Sequence, residues 1–275
     1  MADIPEFIYH YTSQDAFLGI VNSKTLWATD ILYLNDSAEF TYAVQLFCEV
    51  LEEYANDEKY ETVQYLREGL TTVPYGVHFA AIYVASFSGD GDLLSQWRAY
   101  CPPGSGFSIA FHTSTLEQVI APSRFQLVPC EYDENKQKQL IRQLLHKTFQ
   151  QPGDGTALKF CAEHFFKIAP TLKHPTFEEE REWRLVSPLI DLKDSRVKYR
   201  SGKSMLIPYI ELQITDDNKQ LIIDHVTLAP TPHPSLAEDS VTRYLRTLYP
   251  SGKPESTRDL MTGYTRVSKI PFRAW

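Results

Sequence analysis

No stretch of this chain reaches the roughly 18 consecutive apolar residues that a membrane-spanning helix needs. The opening "MADIPEFIYH" lacks a basic segment followed by an apolar run, so it does not read as a secretion signal. Cysteine is scarce: Cys48, Cys101, Cys130 and Cys161 form no Cys-x-x-Cys pair, which excludes the common zinc modules and a disulfide framework. The expectation is a reducing cytoplasm, no membrane partner, and thiols that serve as small buried apolar groups. Basic charge is also short. With 27 Lys and Arg against 35 Asp and Glu, the net charge of −8 disfavours non-specific nucleic-acid binding over the whole surface and leaves room only for a local basic patch.

Familiar chemical motifs are missing too. There is no phosphate-binding loop ending in Gly-Lys-Ser/Thr, and Gly104-Ser105-Gly106 precedes a strand pattern rather than opening a dinucleotide-binding helix. His-Glu-x-x-His and the Gly-x-Ser-x-Gly elbow are absent. The eight histidines do not fall at metal-ligand spacings, so no metal is assigned; a site built from distant residues is the open alternative.

What the chain has in quantity is aromatic rings, 16 Tyr and 15 Phe among 275 residues. Such rings fill cores and line pockets for flat ligands. The pattern reads as strand ("FIYHYT"), helix ("SQDAFLGIVNSK", with Thr12 and Asp15 resembling a capping pair) and a short extended piece ("LWATDILYL") ending in a turn at Asn35-Asp36. Asp36 and Glu39 can cap a helix carrying Phe40, Val44, Phe47, Val50 and Leu51, and a second helix follows near 57–70. "VHFAAIYVASFS" has the continuous apolar character of a strand buried on both faces. "GDLLSQWRAY" reads as a helix stopped by Pro102-Pro103-Gly104, with strands in "GFSIAF" and "FQLVPCEY". Residues 133–170 read as helical, interrupted at Gln151-Pro152-Gly153. Short strands, a helix near 235–247 and an extended tail complete the chain. The fold class is α+β, expected as a single domain over 1–275 with helical insertions at about 37–70 and 133–170.

Four stretches draw attention as sites. If 180–186 is a strand, Glu180, Glu182 and Arg184 share one face, about 7 Å between next-but-one positions, and Arg181, Trp183 and Leu185 share the other. Glutamate is depleted in strands, which suggests a reason for the pair. The plainer reading is an exposed helix end with a surface Glu182–Arg184 pair. "YHYT" sets His10 between Tyr9 and Tyr11, ahead of a helix cap. In "SFSGDGDLLSQWRAY" Ser86 ends a buried strand, and Trp97, Arg98 and Tyr100 follow on a helix. Finally, Arg196, Lys198 and Arg200 alternate along a strand pattern near Lys203, with Arg266, Lys269 and Arg273 in the tail. They read either as a guarded edge strand or as a phosphate-facing track.

The ordered set "HYT", "LWATDILYLNDSAEF", "SFS", "LLSQWRAY", "GFSIAF", "HPTFEEEREWRL" and "VSKIPFR" resembles the bacterial family known as domain of unknown function 2971 (DUF2971), over nearly the whole chain. Its name states no activity. More distantly, the early His-Tyr-Thr, the middle aromatics and the late glutamate resemble the ADP-ribosyltransferase superfamily. Glu180-x-Glu182 is similar to a paired-glutamate motif there, and Ser86-Phe87-Ser88 to a serine-bearing strand motif. A His-type first motif alongside these departs from the superfamily's usual combinations, so the role of Ser86 and the choice of glutamate stay open.

This second resemblance implies a mixed or antiparallel, split β-sheet core that grips NAD as a substrate. It implies cleavage of NAD and transfer of ADP-ribose to a protein or nucleic-acid acceptor, in a setting of bacterial stress or phage defence by analogy. Cleaving the nicotinamide–ribose bond builds an oxocarbenium-like centre that a carboxylate can stabilise. Glu182 or Glu180 is the expected carboxylate and His10 the ribose or amide contact. Tyr11 or Tyr100 is the expected stacking ring, and Arg98 a fork for the pyrophosphate. Thr12, Ser86 and Arg184 complete the expected NAD-binding set. Two other classes are carried alongside: a non-catalytic nucleotide or nucleic-acid binding module, and a metal-dependent hydrolase or nuclease. The sequence leaves the oligomeric state unread.

Overall fold

A computed structural model of the protein describes residues 4–34, 37–55, 60–76, 80–248 and 264–271. The aromatic run Phe7–Thr12 forms β1. Helix α1 (Gln14–Ser23) follows, capped by Ser13, whose hydroxyl accepts from Ala16 N at 3.3 Å. The expected Thr12–Asp15 cap is thus displaced by one residue. The chain continues through β2 (Thr25–Asp30), α2 (Ser37–Glu52), α3 (Tyr60–Gly76), β3 (Ala80–Ala81), β4 (Tyr83–Ser88) and α4 (Leu94–Tyr100). Next come β5 (Phe107–His112), α5 (Thr113–Ile120), β6 (Gln126–Pro129), α6 (Glu134–Thr148) and α7 (Asp154–Ile168). The last part is β7 (Glu182–Val186), β8 (Ile190–Asp191), β9 (Lys198–Ser201), β10 (Leu206–Gln213), β11 (Ile223–Leu228), α8 (Pro234–Leu248) and β12 (Thr265–Val267).

This order tracks the pattern read from sequence, with several differences; the extended piece at 26–34, for one, turns into a 3-10 helix at Ile31–Tyr33. Helix α5 was not anticipated, although Leu116 and Ile120 sit one turn apart and are both buried. The chain at 175–180 is a 3-10 helix, so the strand begins at Glu182 rather than Glu180, and Arg181 between them has a left-handed φ of 45°. The Asn35-Asp36 turn, the cap at Asp36, positions 57–59 and 77–79 of two expected elements, and Arg273 lie outside the described residues.

Among the described residues, ten strands form one sheet in the order β12-β11-β5-β1-β4-β2-β10-β9, with β7 on the far edge of β4 and β6 beyond it. Pairing is antiparallel except for β11 with β12. The pairings of β4 create the feature that matters. On one edge β7 runs along its full length from Val84 to Ser88. On the other edge β1 meets it only at Ser88, through Tyr9, and β2 meets it only at Val84 and Tyr83, through Thr29 and Asp30. Strands β1 and β2 therefore fork apart, and the edge at Ala85–Phe87 faces the gap without a strand partner.

Alternation along β4 and β7 sends side chains into two cores. Ala85, Phe87, Trp183 and Leu185 join Ile8, Phe17, Leu26 and Phe111 on one side. Val84 and Val186 join Phe40, Phe47, Ile141 and Phe165 on the other, under α2, α3, α6 and α7. Of the run read as one doubly buried strand, Tyr83–Ser88 is such a strand, whereas Ala80–Ala81 forms the separate half-buried β3, paired with β8. All four cysteines are free, and Cys101, Cys130 and Cys161 are buried. Among the described residues no helix is long and apolar enough to cross a membrane.

Gly106 leads into β5 at φ +128°, and a Cβ there would lie 2.4 Å from Cys101 Sγ and 2.5 Å from its Cβ. Its carbonyl also holds Ala229 N at 3.1 Å. Backbone strain of this kind costs about 1–3 kcal/mol before any clash. Gly106→Ala is expected to lower unfolding free energy by at least about 2 kcal/mol, read from urea denaturation.

Candidate functional site

The fork opens into a cleft of about 490 Å³. Its walls are β1 and α1 on one side and β2 with β9 on the other; Val84, Ala85 and Ser86 of β4 form the floor. A smaller hollow of about 60 Å³ shares His10, Tyr11, Ser86, Tyr100 and Glu182 with it and adds Glu180. The early histidine and Glu182 thus border both hollows and Glu180 borders the smaller, although 170 or more positions separate them in the chain.

His10 sits where β1 leaves β4. Its Nδ1 lies 3.0 Å from the carbonyl of Ser86 on the unpaired edge. A carbonyl only accepts, so Nδ1 carries the proton and Nε2 is left as an acceptor. Burial pushes the imidazole below its ordinary value, with the Ser86 bond opposing, which favours the neutral ring.

The glutamates belong to a buried charge cluster. Lys173, 2% exposed, sends its ammonium into a ring of three carboxylates: Glu180 at 2.5 Å, Glu39 of α2 at 3.2 Å, and Glu182. Arg184 donates from Nε to Glu182 Oε1 at 2.7 Å and from Nη2 to Glu182 Oε2 at 2.9 Å, and also reaches Glu39 and the Pro170 carbonyl. Glu182 and Arg184 share a face of β7 as the alternation predicts, but the surface-pair reading is overturned: the pair is buried. Glu180 joins from the 3-10 helix rather than from the strand.

The two carboxyls experience different surroundings. For Glu182, burial opposes ionisation, but Arg184 and Lys173 together outweigh it and hold the carboxyl low, at about 2. For Glu180, burial dominates and Lys173 compensates only in part, so its carboxyl is raised. Only Oε2 of Glu180 is engaged by Lys173, whereas both oxygens of Glu182 are taken.

The other expected residues divide. Thr12, Ser86 and Arg184 line the cleft, and the Ser86 hydroxyl has no partner among the described residues. Tyr100 lines it as a partly exposed ring whose phenol is pushed up to about 12 by burial and then by Glu182 and Glu180. Tyr11 touches the cleft but is committed elsewhere: its hydroxyl donates to Asp90 O at 2.8 Å and accepts from Leu93 N at 2.9 Å, and its ring packs edge-on against Trp97. It is corrected from a stacking ring to a structural one. Arg98 is exposed on α4 and is not part of the cleft wall, because the preceding turn puts Gln96 and Trp97 inward.

Sequence reasoning missed Lys173 and Glu39. Nothing in the pattern marks a lysine just before "HPTFEEEREWRL" as buried. Trp27 and Thr29 of the cleft wall were legible only as strand alternation.

Another cavity, about 350 Å³, lies between α1 and α8, but its wall holds no acid, lysine, arginine or histidine. No group of three or more His, Cys, Asp or Glu suited to a metal occurs among the described residues. The three clustered carboxylates already enclose an ammonium.

Residues 96–185 match a family model described as "Protein of unknown function (DUF2971)". This supports the family resemblance drawn from the motifs and covers Tyr100, Lys173, Glu180, Glu182 and Arg184. No curated protein and no solved structure matches the chain.

The low value of Glu182 has a stability consequence. Its contribution is complete above the ordinary glutamate value of 4.5 and is lost as pH falls toward about 2. Glu182→Gln is expected to lower stability at neutral pH by about 3–5 kcal/mol, the usual cost of breaking a buried pair, and to flatten the dependence between those pH values. Urea midpoints measured across this range check both.

Proposed function

We propose that this chain is an ADP-ribosyltransferase-like enzyme that takes NAD into the forked cleft and transfers ADP-ribose to a protein or nucleic-acid acceptor. The observation that carries this reading is the convergence, around the smaller hollow beside the cleft, of a neutral imidazole on β1, a partly free carboxylate at Glu180 and an exposed ring at Tyr100.

The chemistry follows from the groups. The bond from ribose C1′ to the pyridinium nitrogen breaks, and its electron pair neutralises that nitrogen. Positive charge develops at C1′ and the ring oxygen. Glu180, with one oxygen uncommitted, offers the carboxylate that meets this charge. Nε2 of His10 accepts from a ribose hydroxyl or the nicotinamide amide. Tyr100 covers the flat nicotinamide. An acceptor hydroxyl or amine then bonds C1′ and releases its proton. Glu182 acts through Lys173 as a positioning residue rather than as the reacting group. A second reading has one specific support: the cluster neutralises much of its own negative charge, as a binding module without chemistry also requires.

Incubation with labelled NAD and mixed acceptors tests the proposal. Wild type is expected to release nicotinamide. Glu180→Gln is expected to slow release by about 100-fold or more, a loss typical for removing one electrostatic contact to a transition state, with NAD affinity little changed. Because burial raises Glu180, the acid limb of the rate profile is expected above the ordinary glutamate value, with rate climbing as pH rises through it. NAD binding without turnover in both proteins supports the binding-module reading; no NAD binding by calorimetry sinks the transferase reading.

A further inference from the structure

The wall opposite His10 carries an arginine with unfinished hydrogen bonding. Strands β2, β10 and β9 pair so that Trp27, Thr29, Tyr209, Lys198 and Arg200 share one face. Of the basic residues clustered here, Arg196 is paired with Asp194 at 2.7 Å and Lys198 with Glu211 at 2.7 Å. Arg200 instead turns into the cleft. Its Nη2 reaches Thr29 Oγ1 at a long 3.4 Å, and its guanidinium lies 5.8 Å from the Trp27 ring centre. Nε is buried with no acceptor, and no carboxylate is within ion-pair distance among the described residues. The other arginine of the cleft, Arg184, is saturated by Glu39, Glu182 and the Pro170 carbonyl. An anion entering the cleft therefore meets Arg200 as its uncommitted guanidinium. Beside it the indole of Trp27 is 46% exposed, backed by Tyr209 at 4.5 Å between ring centres.

We propose that Arg200 anchors phosphate in this cleft, and that Trp27 stacks against the attached base, so that the β2–β9 wall holds the ADP half of a dinucleotide. The planar edge of a guanidinium, Nε with one Nη, matches two phosphate oxygens; Arg200 Nε is covered and has no acceptor, so a small turn of the side chain that brings this edge to an anion in the cleft loses no hydrogen bond at Nε. An indole face takes an adenine by stacking. The assignment rests on the reading of the cleft as an NAD site and gives it polarity: ADP toward Arg200 and Trp27, the reacting ribose toward His10 and Glu180.

Calorimetry with ADP, adenosine and a short single-stranded oligonucleotide tests it. Wild type is expected to bind ADP at least about tenfold tighter than adenosine, the scale of one charge-assisted hydrogen bond. Arg200→Met should weaken ADP by about tenfold to a hundredfold and leave adenosine unchanged. Trp27→Leu should weaken both alike. Should Arg200→Met fail to fold by thermal melting, Arg200→Lys keeps the stem and charge but loses the fork, and is expected to bind ADP several-fold more weakly. Wild-type ADP affinity in both arginine variants, equal affinity of wild type for ADP and adenosine, or an oligonucleotide engaging Arg200 where ADP does not, overturns the proposal. Arg200-dependent ADP binding without NAD consumption removes the enzyme reading and leaves the anchor. NAD consumption with ADP indifferent to Arg200 does the reverse.

Discussion

The ammonium of Lys173, enclosed by three carboxylates, ties together parts of the chain that no strand pairing joins. Glu39 comes from the first helical layer, Glu180 from a 3-10 helix, and Glu182 and Arg184 from β7. Burying ions costs several kcal/mol each unless geometry and further hydrogen bonds compensate. Here they do. Arg184 is satisfied on both edges, and the Lys173 carbonyl accepts from Gln137 Nε2 at 2.7 Å, which links the cluster to α6. Gln137 Oε1 in turn accepts from the Tyr42 hydroxyl of α2 at 2.7 Å. Polar contacts thus join the helical layer to the sheet where Glu39, Glu182 and Arg184 line the cleft.

The fork in the sheet is the second constraint. An unpaired strand edge leaves carbonyl and amide groups without partners, and folded proteins rarely leave such edges bare. At Ser86 the chain answers with a side chain: His10 fills the ladder position that β1 vacates by diverging. The same bond sets the tautomer, so the histidine closes the edge and presents an acceptor in one act. The structural reading of His10 is met by this bond, and the proposed ligand contact would use the nitrogen it leaves over.

Elements with strong local signals were legible from the sequence. "FIYHYT" could hardly be other than a strand, and the helices at 37–52 and 134–148 carry clear apolar stripes. Alternation along "EWRLV" also placed Glu182 with Arg184 and Trp183 with Leu185 correctly. What remained hidden depends on contacts between distant segments. Lys173 and Glu39 lie 134 positions apart, and neither has a local pattern that marks it as buried. Tyr11 misled because its hydroxyl and ring find partners at Asp90, Leu93 and Trp97, across a loop whose path periodicity does not describe. The basic run misled in part because Arg196 and Lys198 found acids on an adjacent turn and strand, whereas Arg200 did not.

The choice between the two glutamates, open in the sequence, turns on how many of their oxygens are already used. Two carboxyls two positions apart share one lysine, yet their environments push them in opposite directions. Such divergence commonly marks a division of roles. Glu182 accepts three hydrogen bonds from two cations, two of them on Oε2, and keeps only one of about four acceptor sites. Glu180 is held by Lys173 through one oxygen and lines the hollow. A substrate cation drawing on Glu180 meets a carboxylate already oriented by Lys173, and Lys173 is in turn fixed by Glu182 and Glu39. In the proposed reaction Glu182 serves by holding its half-buried neighbour Glu180 in place through Lys173, and rigidity of a charge aimed at a reacting centre is what electrostatic catalysis requires.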